Sequence, residues 1–322
     1  MTETPLRFDD QVVIVTGAGR NLGREYALAL ASRGASVVVN DLGVGLSDTD
    51  GRADRPTRNP ADDVVDEIVA SGGRAVANHD SVSSVEGGRS IVECALDTFG
   101  RVDVVINNAG QVRMAEFGDF PDESVDALID TQLRGVLNVS RPAWKHMASR
   151  GGGRFVNVSS GAAFGGVPGG AVYAMAKMGT IGLTLGMASE GRAVGIASNV
   201  IVPYAKTRPG TGFGPIPWSE GLGQWLDPAL VAPLTVWLSH SSCAANGEVF
   251  SVGAGWQAAV TLRMARGYTD RDLTPESIAA HHEQLTTGGE ESLTPFRSPA
   301  MKRLLEGFRP PPDPDTPPNT RN

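Results

Sequence analysis

A chain of 322 residues, 41% hydrophobic and 20% charged, carries enough apolar mass for one sizeable α/β core plus an appendage. Its net charge of −8 argues against nucleic-acid binding, which needs Lys and Arg in excess, and against anionic membrane surfaces. No apolar run reaches membrane-spanning length and the polar Met1–Asp10 lacks a signal peptide's apolar stretch, so a cytoplasmic protein is expected.

In chain order, Val12–Thr16 is a β-branched run that reads as a buried strand, followed by a Gly-containing turn and a helical pattern over Leu22–Arg33. Val37–Asn40 is a second strand. Helices are predicted over Ala61–Ala70, Val85–Phe99, Asp122–Ser149 (with one break), Val172–Glu190 and Pro228–Ser239. Strands are predicted at Ala75–Ala77, Val102–Asn107, Arg154–Ser159, Ile196–Val202 and Glu248–Val252. Seven strands alternating with helices predict a Rossmann-type, doubly wound parallel sheet in three layers, because βαβ crossovers cover both faces of such a sheet.

Three segments interrupt the alternation. Leu42–Pro60 is a Gly/Asp/Arg-rich loop, longer than a βα connection needs. Residues 206–226 are rich in Gly and Pro with two Trp, and read as a lid over a pocket. The core with its lid is therefore placed at 1–256. A C-terminal helical extension is placed at 257–322, with helices near Pro275–Leu285 and Pro299–Phe308 and a Pro-rich end, 310–322, of disordered composition.

Residues Gly17, Gly19, Arg20, Asn21, Leu22 and Gly23 sit between a strand and a helix. There, glycines allow a tight turn and a helix N-terminus offers free N–H groups to a pyrophosphate. An ordinary Gly-rich turn fits the same residues equally. Asp41 ends the second strand, where a carboxylate accepts from both ribose hydroxyls and repels a 2′-phosphate, which favours NAD over NADP. Arg20 argues the other way, and Asp41 could also simply begin a turn.

Tyr173 and Lys177 are four apart on one helix and share a face. An ammonium beside a phenol favours the phenolate, and Ser160, at the end of the preceding strand, could hold the substrate oxygen. Such a set suits proton transfer coupled to hydride transfer between an alcohol and a nicotinamide.

Four landmarks occur in order: Thr16–Gly23 (TGAGRNLG), Asn107–Gly110 (NNAG), Ser160, and Tyr173 with Lys177. On these the chain resembles the short-chain dehydrogenase/reductase family from Phe8 to about Trp256. Val37–Gly43, Ala75–Val82, Leu133–Gly135, Gly253–Trp256 and the stretch Ala232–His240 are most similar to one branch, the (3R)-hydroxyacyl-CoA dehydrogenase unit of peroxisomal multifunctional enzyme type 2. The resemblance implies an NAD-dependent oxidoreductase of lipid metabolism, a homodimer or homotetramer. Ser160, Tyr173 and Lys177 would be catalytic and Gln132 would stand in for the family's relay Asn. Asp41 and Leu42, Asp80 and Ser81, Asn107, Ala109, Gly110 and Pro203, together with Tyr173 and Lys177, would line the cofactor. A 3-hydroxyacyl-CoA with a fatty or sterol-derived acyl group is the first substrate expectation. A free terpenoid or steroid alcohol or ketone is the second, and a non-catalytic NAD-binding regulator the third.

Three departures stand out. Asn21 replaces a glycine of the phosphate loop, Gln132 replaces the Asn, and the family's Pro-Gly after the sixth strand is Pro203-Tyr204, which puts a bulky ring near the nicotinamide position. Arg113, Lys206 and Arg208 are candidate cations for CoA phosphates. Cys94 and Cys243 read as reduced packing residues, and the five histidines show no metal-ligand spacing, so no metal is expected. Met175, Met178 and Met187 lie on a helix apolar on nearly all sides, which a twofold-related subunit would cover.

Overall fold

The computed structural model describes residues 4–44, 58–206, 223, 225–265, 267–270, 273–286 and 290–293. Most of the expected lid, Arg208, most of the Leu42–Pro60 loop, the helix expected at Pro299–Phe308 and the Pro-rich end lie outside these residues.

The order is β1 (Val12–Thr16), α1 (Asn21–Ala31), β2 (Ser36–Asn40), α2 (Pro60–Ala70), β3 (Arg74–Asn78), α3 (Val85–Phe99), β4 (Val104–Asn107), α4 (Asp122–Ile129), α5 (Gly135–Ser149) and β5 (Gly153–Val158). It continues with the short α6 (Ala162–Gly165), α7 (Ala171–Gly191), β6 (Ile196–Tyr204), α8 (Ala232–Ser239), β7 (Val249–Gly253) and β8 (Trp256–Ala259). Caps visible in the sequence mark several helix starts. The Asn59 side chain accepts from Ala61 N ahead of Pro60, and Ser84 Oγ accepts from Gly87 N.

The strands stand in the order β3-β2-β1-β4-β5-β6-β7-β8. β1 pairs in parallel with both β2 and β4, so the winding reverses between β1 and β4. Alternation along the strands divides the core. Val13, Val15, Val37 and Val39 pack with Tyr26, Leu30, Ile68 and Leu238 of α1, α2 and α8. Val12, Ile14 and Val38 pack with Ile91, Val139 and Met147 of α3 and α5. Val13, Ile14 and Val15 are each 0% exposed, and each such side chain contributes about 1.5–3 kcal/mol. The expected three-layer Rossmann-type sheet is present, with α7 on the second face.

Seven strands were expected and eight form. β8 turns back antiparallel on β7, with Gly253 opposite Trp256. The two-residue turn places Ala254 at φ 52 and Gly255 at φ 77, the left-handed pair a tight hairpin needs. The first compact unit therefore runs to Val260 and the second begins at Thr261. In the second unit β9 (Leu262–Ala265) pairs antiparallel with β10 (Glu290–Leu293), a hairpin the sequence reading missed. The helix expected at Pro275–Leu285 is two short ones, α9 (Pro275–Ala280) and α10 (His282–Thr286), separated at His281.

The break expected in Asp122–Ser149 is a π segment, Asp130–Arg134, between α4 and α5. One extra residue per turn frees a backbone carbonyl and turns Gln132 inward, where it is 2% exposed. No described helix is long and apolar enough to cross a membrane.

Candidate active site

The C-terminal tips of β1 and β4 flank the reversal of the winding, the position at which open α/β sheets bind ligands. Thr16 Oγ1 accepts from Asn108 N at 3.1 Å and Ala109 N at 3.0 Å, and Asn108 Nδ2 donates to Thr16 O at 2.9 Å and Gly17 O at 3.0 Å. These bonds hold the two tips together. Neither Thr16 nor Asn108 was singled out from the sequence, although both lie inside the quoted landmarks.

The turn after β1 requires its glycines. Gly17 sits at φ 62, and a Cβ there would stand 2.8 Å from Ala109 Cα. A Cβ at Gly23 would stand 2.2 Å from Gly17 O. Asn21 takes the left-handed conformation at φ 49, which asparagine tolerates better than most residues, so the turn survives the missing glycine. Arg20 occupies the N-cap of α1 and makes no side-chain cap bond, leaving first-turn N–H groups to an anion. Leu22 packs against the core from this turn.

Asp41 stands at the tip of β2. Its Oδ2 accepts from Gly19 N at 3.0 Å and its Oδ1 from Gly43 N at 2.9 Å, which fixes the carboxylate beside the glycine turn. Asn59 Nδ2 donates to Asp41 O. Leu42 is exposed next to it. Past β3, Asp80 accepts from Asn78 Nδ2 and Ser90 Oγ, and Ser81 Oγ accepts from Ser83 N. Asn107 is placed differently from Ala109 and Gly110. Its amide turns into the sheet, donating to Ser140 Oγ and Asn157 Oδ1 in a buried network that continues to Thr184.

The reactive set gathers at the ends of β5 and α7. Ser160 follows β5, with its Oγ accepting from Ala162 N, and its hydroxyl lies beside the Tyr173 phenol. Tyr173 is 6% exposed, in an apolar cluster with Leu128, Ala162 and Val172. Lys177 Nζ donates to Val158 O at 2.9 Å and lies 5.8 Å from the centre of the Tyr173 ring. The expected ammonium-driven fall of the phenol is not found. Burial raises the Tyr173 pKa, and the Ser160 bond offsets part of the rise. Burial lowers Lys177 to about 7, so near neutrality the amine itself titrates.

Gln132 meets α7 through its backbone. Its Nε2 donates to Gln111 O, its backbone carbonyl accepts from Thr180 Oγ1 at 3.3 Å, and its Oε1 is buried with no protein partner. A Cβ at Gly110 would stand 2.8 Å from that Oε1, so the glycine makes room for the longer amide. Pro203 lies in β6 opposite Val252. Arg113 donates to Gln111 Oε1 and Ser124 Oγ.

An open sheet with a glycine turn at its reversal point and a Ser–Tyr–Lys set beside it defines a dinucleotide-dependent oxidoreductase. The chain belongs to the short-chain dehydrogenase family, whose model, described as short chain dehydrogenase, matches residues 11–209. It is 44% identical over 286 residues to the mouse (Mus musculus) peroxisomal multifunctional enzyme type 2, covering 88% of this chain and 37% of that protein. It is 40% identical over 300 residues to peroxisomal multifunctional enzyme A of Dictyostelium discoideum, covering 93% and 65%. The chain thus spans between about a third and two thirds of the length of these relatives. The crystal structure of a short chain dehydrogenase from Mycobacterium avium superimposes with a TM-score of 0.74 at 34% identity, over 90% of this chain and 99% of that one. The chain is therefore a unit of an oxidoreductase family whose members act on hydroxyl groups with a nicotinamide cofactor.

Proposed function

We propose that the protein is an NAD-dependent dehydrogenase that interconverts a secondary alcohol and a ketone on an apolar substrate, in the first place a 3-hydroxyacyl-CoA. Tyr173 and Lys177, both buried and one turn apart on α7 with the Lys177 amine 5.8 Å from the centre of the phenol ring and Ser160 beside it, carry this reading. The phosphate cradle fits a dinucleotide, since Gly17, the uncapped start of α1 and Asp41 meet at the sheet's reversal. The loop from Gly17 to Gly23 would hold the pyrophosphate, Asp41 and Leu42 the adenosine ribose, and Asp80 and Ser81 the adenine. Ala109, Gly110, Pro203 and Lys177 would border the nicotinamide half, with Asn107 supporting it from inside the sheet. When bound, the nicotinamide supplies the acceptor for hydride from the carbinol carbon.

The chain's own residues handle the oxygen and the proton. Ser160 and Tyr173 would hold the substrate oxygen, Tyr173 would take its proton while giving up its own phenolic proton toward the neutral Lys177 amine, and Lys177 would release that proton toward solvent. The apolar cluster around Tyr173, formed with Leu128, Ala162 and Val172 and bordered by Val112 and Phe120, supports an apolar substrate. The sequence resemblance to a (3R)-hydroxyacyl-CoA dehydrogenase unit supports an acyl-CoA. Following reduced-cofactor absorbance with a panel of 3-hydroxyacyl-CoAs and free terpenoid or steroid alcohols tests the reading. Turnover of the free alcohols alone would move the assignment to the second substrate class.

Cofactor choice follows from Asp41. A 2′-phosphate would meet a carboxylate already fixed by two backbone N–H groups, so kcat/KM should favour NAD over NADP. Asp41→Ala should erase most of that preference, and a wild-type preference for NADP would mean that Arg20 dominates instead.

Gln132 is proposed to replace the family's amide in the proton relay. Its buried, unpartnered Oε1 suits an ordered water, since a buried acceptor left unmade costs about 1–3 kcal/mol. Gln132→Ala should lower kcat by about tenfold, ~1.4 kcal/mol in barrier, with cofactor affinity retained, and Gln132→Asn should be milder. Equal, unchanged kcat in both would refute the role.

The exposed face of α7 carries Met175 and Met178, and α5 exposes Leu137, which supports a dimer or tetramer built on these helices. Sedimentation at micromolar concentration should exceed the 33.7 kDa monomer. A cytoplasmic location belongs to the same proposal, and fractionation against a peroxisomal marker checks it.

A further inference from the structure

The C-terminal ends of β5 and β6 run side by side, with Asn157 opposite Val200 and Val158 opposite Ile201. Continuing that register past the last pair sets Gly161 opposite Tyr204. The contact is tight. A Cβ at Gly161 would stand 2.7 Å from Tyr204 Oη and 3.3 Å from its Cζ. On the other side Tyr204 pairs with Gly253, where a Cβ would stand 2.3 Å from Tyr204 O and 2.7 Å from Tyr204 Cβ. Two glycines thus flank this residue, and the ring leans from β6 over the residue that follows Ser160. It does so while 37% exposed, at the end of a strand whose preceding residues Val200, Ile201 and Val202 are buried. The ring therefore stands in the open cleft above the sheet rather than in the core.

We infer that Tyr204 is a specificity-determining residue, its ring forming the wall of the substrate cleft beside Ser160 and selecting substrates that are slender at the carbon next to the carbinol. This rests on reading Ser160, Tyr173 and Lys177 as the reactive centre. The physical warrant is excluded volume. A substrate oxygen bound to Ser160 brings its flanking carbons within van der Waals range of groups packed on Gly161. An aromatic ring there removes space that a small residue would leave. Gly161 is then explained as well, because any side chain would drive the ring out of place. Steric discrimination of this kind is worth about 10–200-fold per methylene-sized group.

The test compares a straight-chain 3-hydroxyacyl-CoA with its counterpart methylated beside the carbinol, and the corresponding pair of free alcohols. Tyr204→Ala should raise the branched-to-straight ratio of kcat/KM by about tenfold while the KM for the cofactor holds. Tyr204→Leu, which keeps apolar bulk at the strand end, should shift the ratio the same way and covers a failure of the alanine variant to fold. Gly161→Ala should lower kcat/KM in the wild-type background and cost little in the Tyr204→Ala background, since residues in contact do not act additively. An unmoved ratio with straight-chain turnover intact would overturn the inference. So would a shift that falls on the cofactor KM instead, making the ring a cofactor wall. Absence of turnover with every alcohol in the wild type would overturn the underlying reading of the reactive centre, and this inference with it.

Discussion

Tyr173→Phe is expected to reduce kcat by about a thousandfold while the protein stays folded and binds its cofactor with unchanged affinity. The substitution removes one oxygen from a side chain that is 6% exposed and leaves its ring in the cluster with Leu128, Ala162 and Val172. The ring's packing is therefore kept. What is lost is the phenol oxygen that lies beside Ser160. Most of the cofactor cradle lies at the tips of β1, β2 and β4, and the substitution leaves Lys177 in place, so fluorescence titration with reduced cofactor should give the wild-type value. Turnover is different, because the substitution deletes the phenol oxygen that would exchange protons with the substrate. Stopped-flow absorbance of the reduced cofactor measures the loss. Residual kcat above a few per cent of wild type would remove Tyr173 from the chemistry and leave Ser160 and Lys177 needing another partner.

Ser160→Ala distinguishes orientation from proton transfer within the same set. It leaves the Tyr173 hydroxyl in place and deletes the group that offsets part of the burial-driven rise of the phenol.

The parts of this molecule that could be read from its sequence are those built from local physics. A strand buried on both faces must be a β-branched run, and Val12–Thr16, Val37–Asn40 and Ile196–Val202 were found to within a few residues. The starts of α2 and α3 were likewise found to within a residue, and the structure shows Asn59 and Ser84 capping them. The eighth strand was missed because its signal is weak. Trp256–Ala259 is four residues long and mostly exposed, and its turn uses Ala254 in a left-handed conformation that sequence alone does not announce. The hairpin of β9 and β10 joins residues about 25 apart, a pairing no local pattern specifies.

Site residues divide similarly. Ser160, Tyr173 and Lys177 were visible as a spaced set, and the fold brings them together. The destination of a side chain was less legible. Asn107 lies within a cofactor landmark, yet its amide is spent inside the sheet on Ser140 and Asn157. The charge state of the pair was also misjudged. Spacing places an amine near a phenol, but only the three-dimensional burial of Lys177 decides whether that amine is charged.

That burial sets the pH dependence. Lys177 is 6% exposed, its Nζ donates to Val158 O, and its pKa falls from an ordinary value near ~10.4 to about 7. Folding therefore favours the neutral amine. Between about pH 7 and pH 10 the unfolded chain binds a proton that the folded chain does not, so stability should rise with pH across this window. Below pH 7 both states carry the proton, and the folded state bears the whole cost of a buried charge. Catalysis follows the same titration. Alcohol oxidation needs the Tyr173–Lys177 pair to accept a proton, so kcat/KM for oxidation should climb about tenfold per pH unit below 7 and level off above it. Ketone reduction should show the reverse. Lys177→Met keeps the apolar stem, removes the titration, and should flatten the oxidation profile between pH 6 and 9 at a much lower kcat. Calorimetry at pH 6.5 should find the variant more stable than wild type, on the order of a few kcal/mol, because a buried charge has been removed. Residues tuned for chemistry commonly carry such a cost. A wild-type profile flat from pH 5.5 to 9, or one whose inflection survives in Lys177→Met, would place the titrating group elsewhere. An unchanged inflection with raised stability would show that burial destabilises Lys177 without its proton entering the reaction.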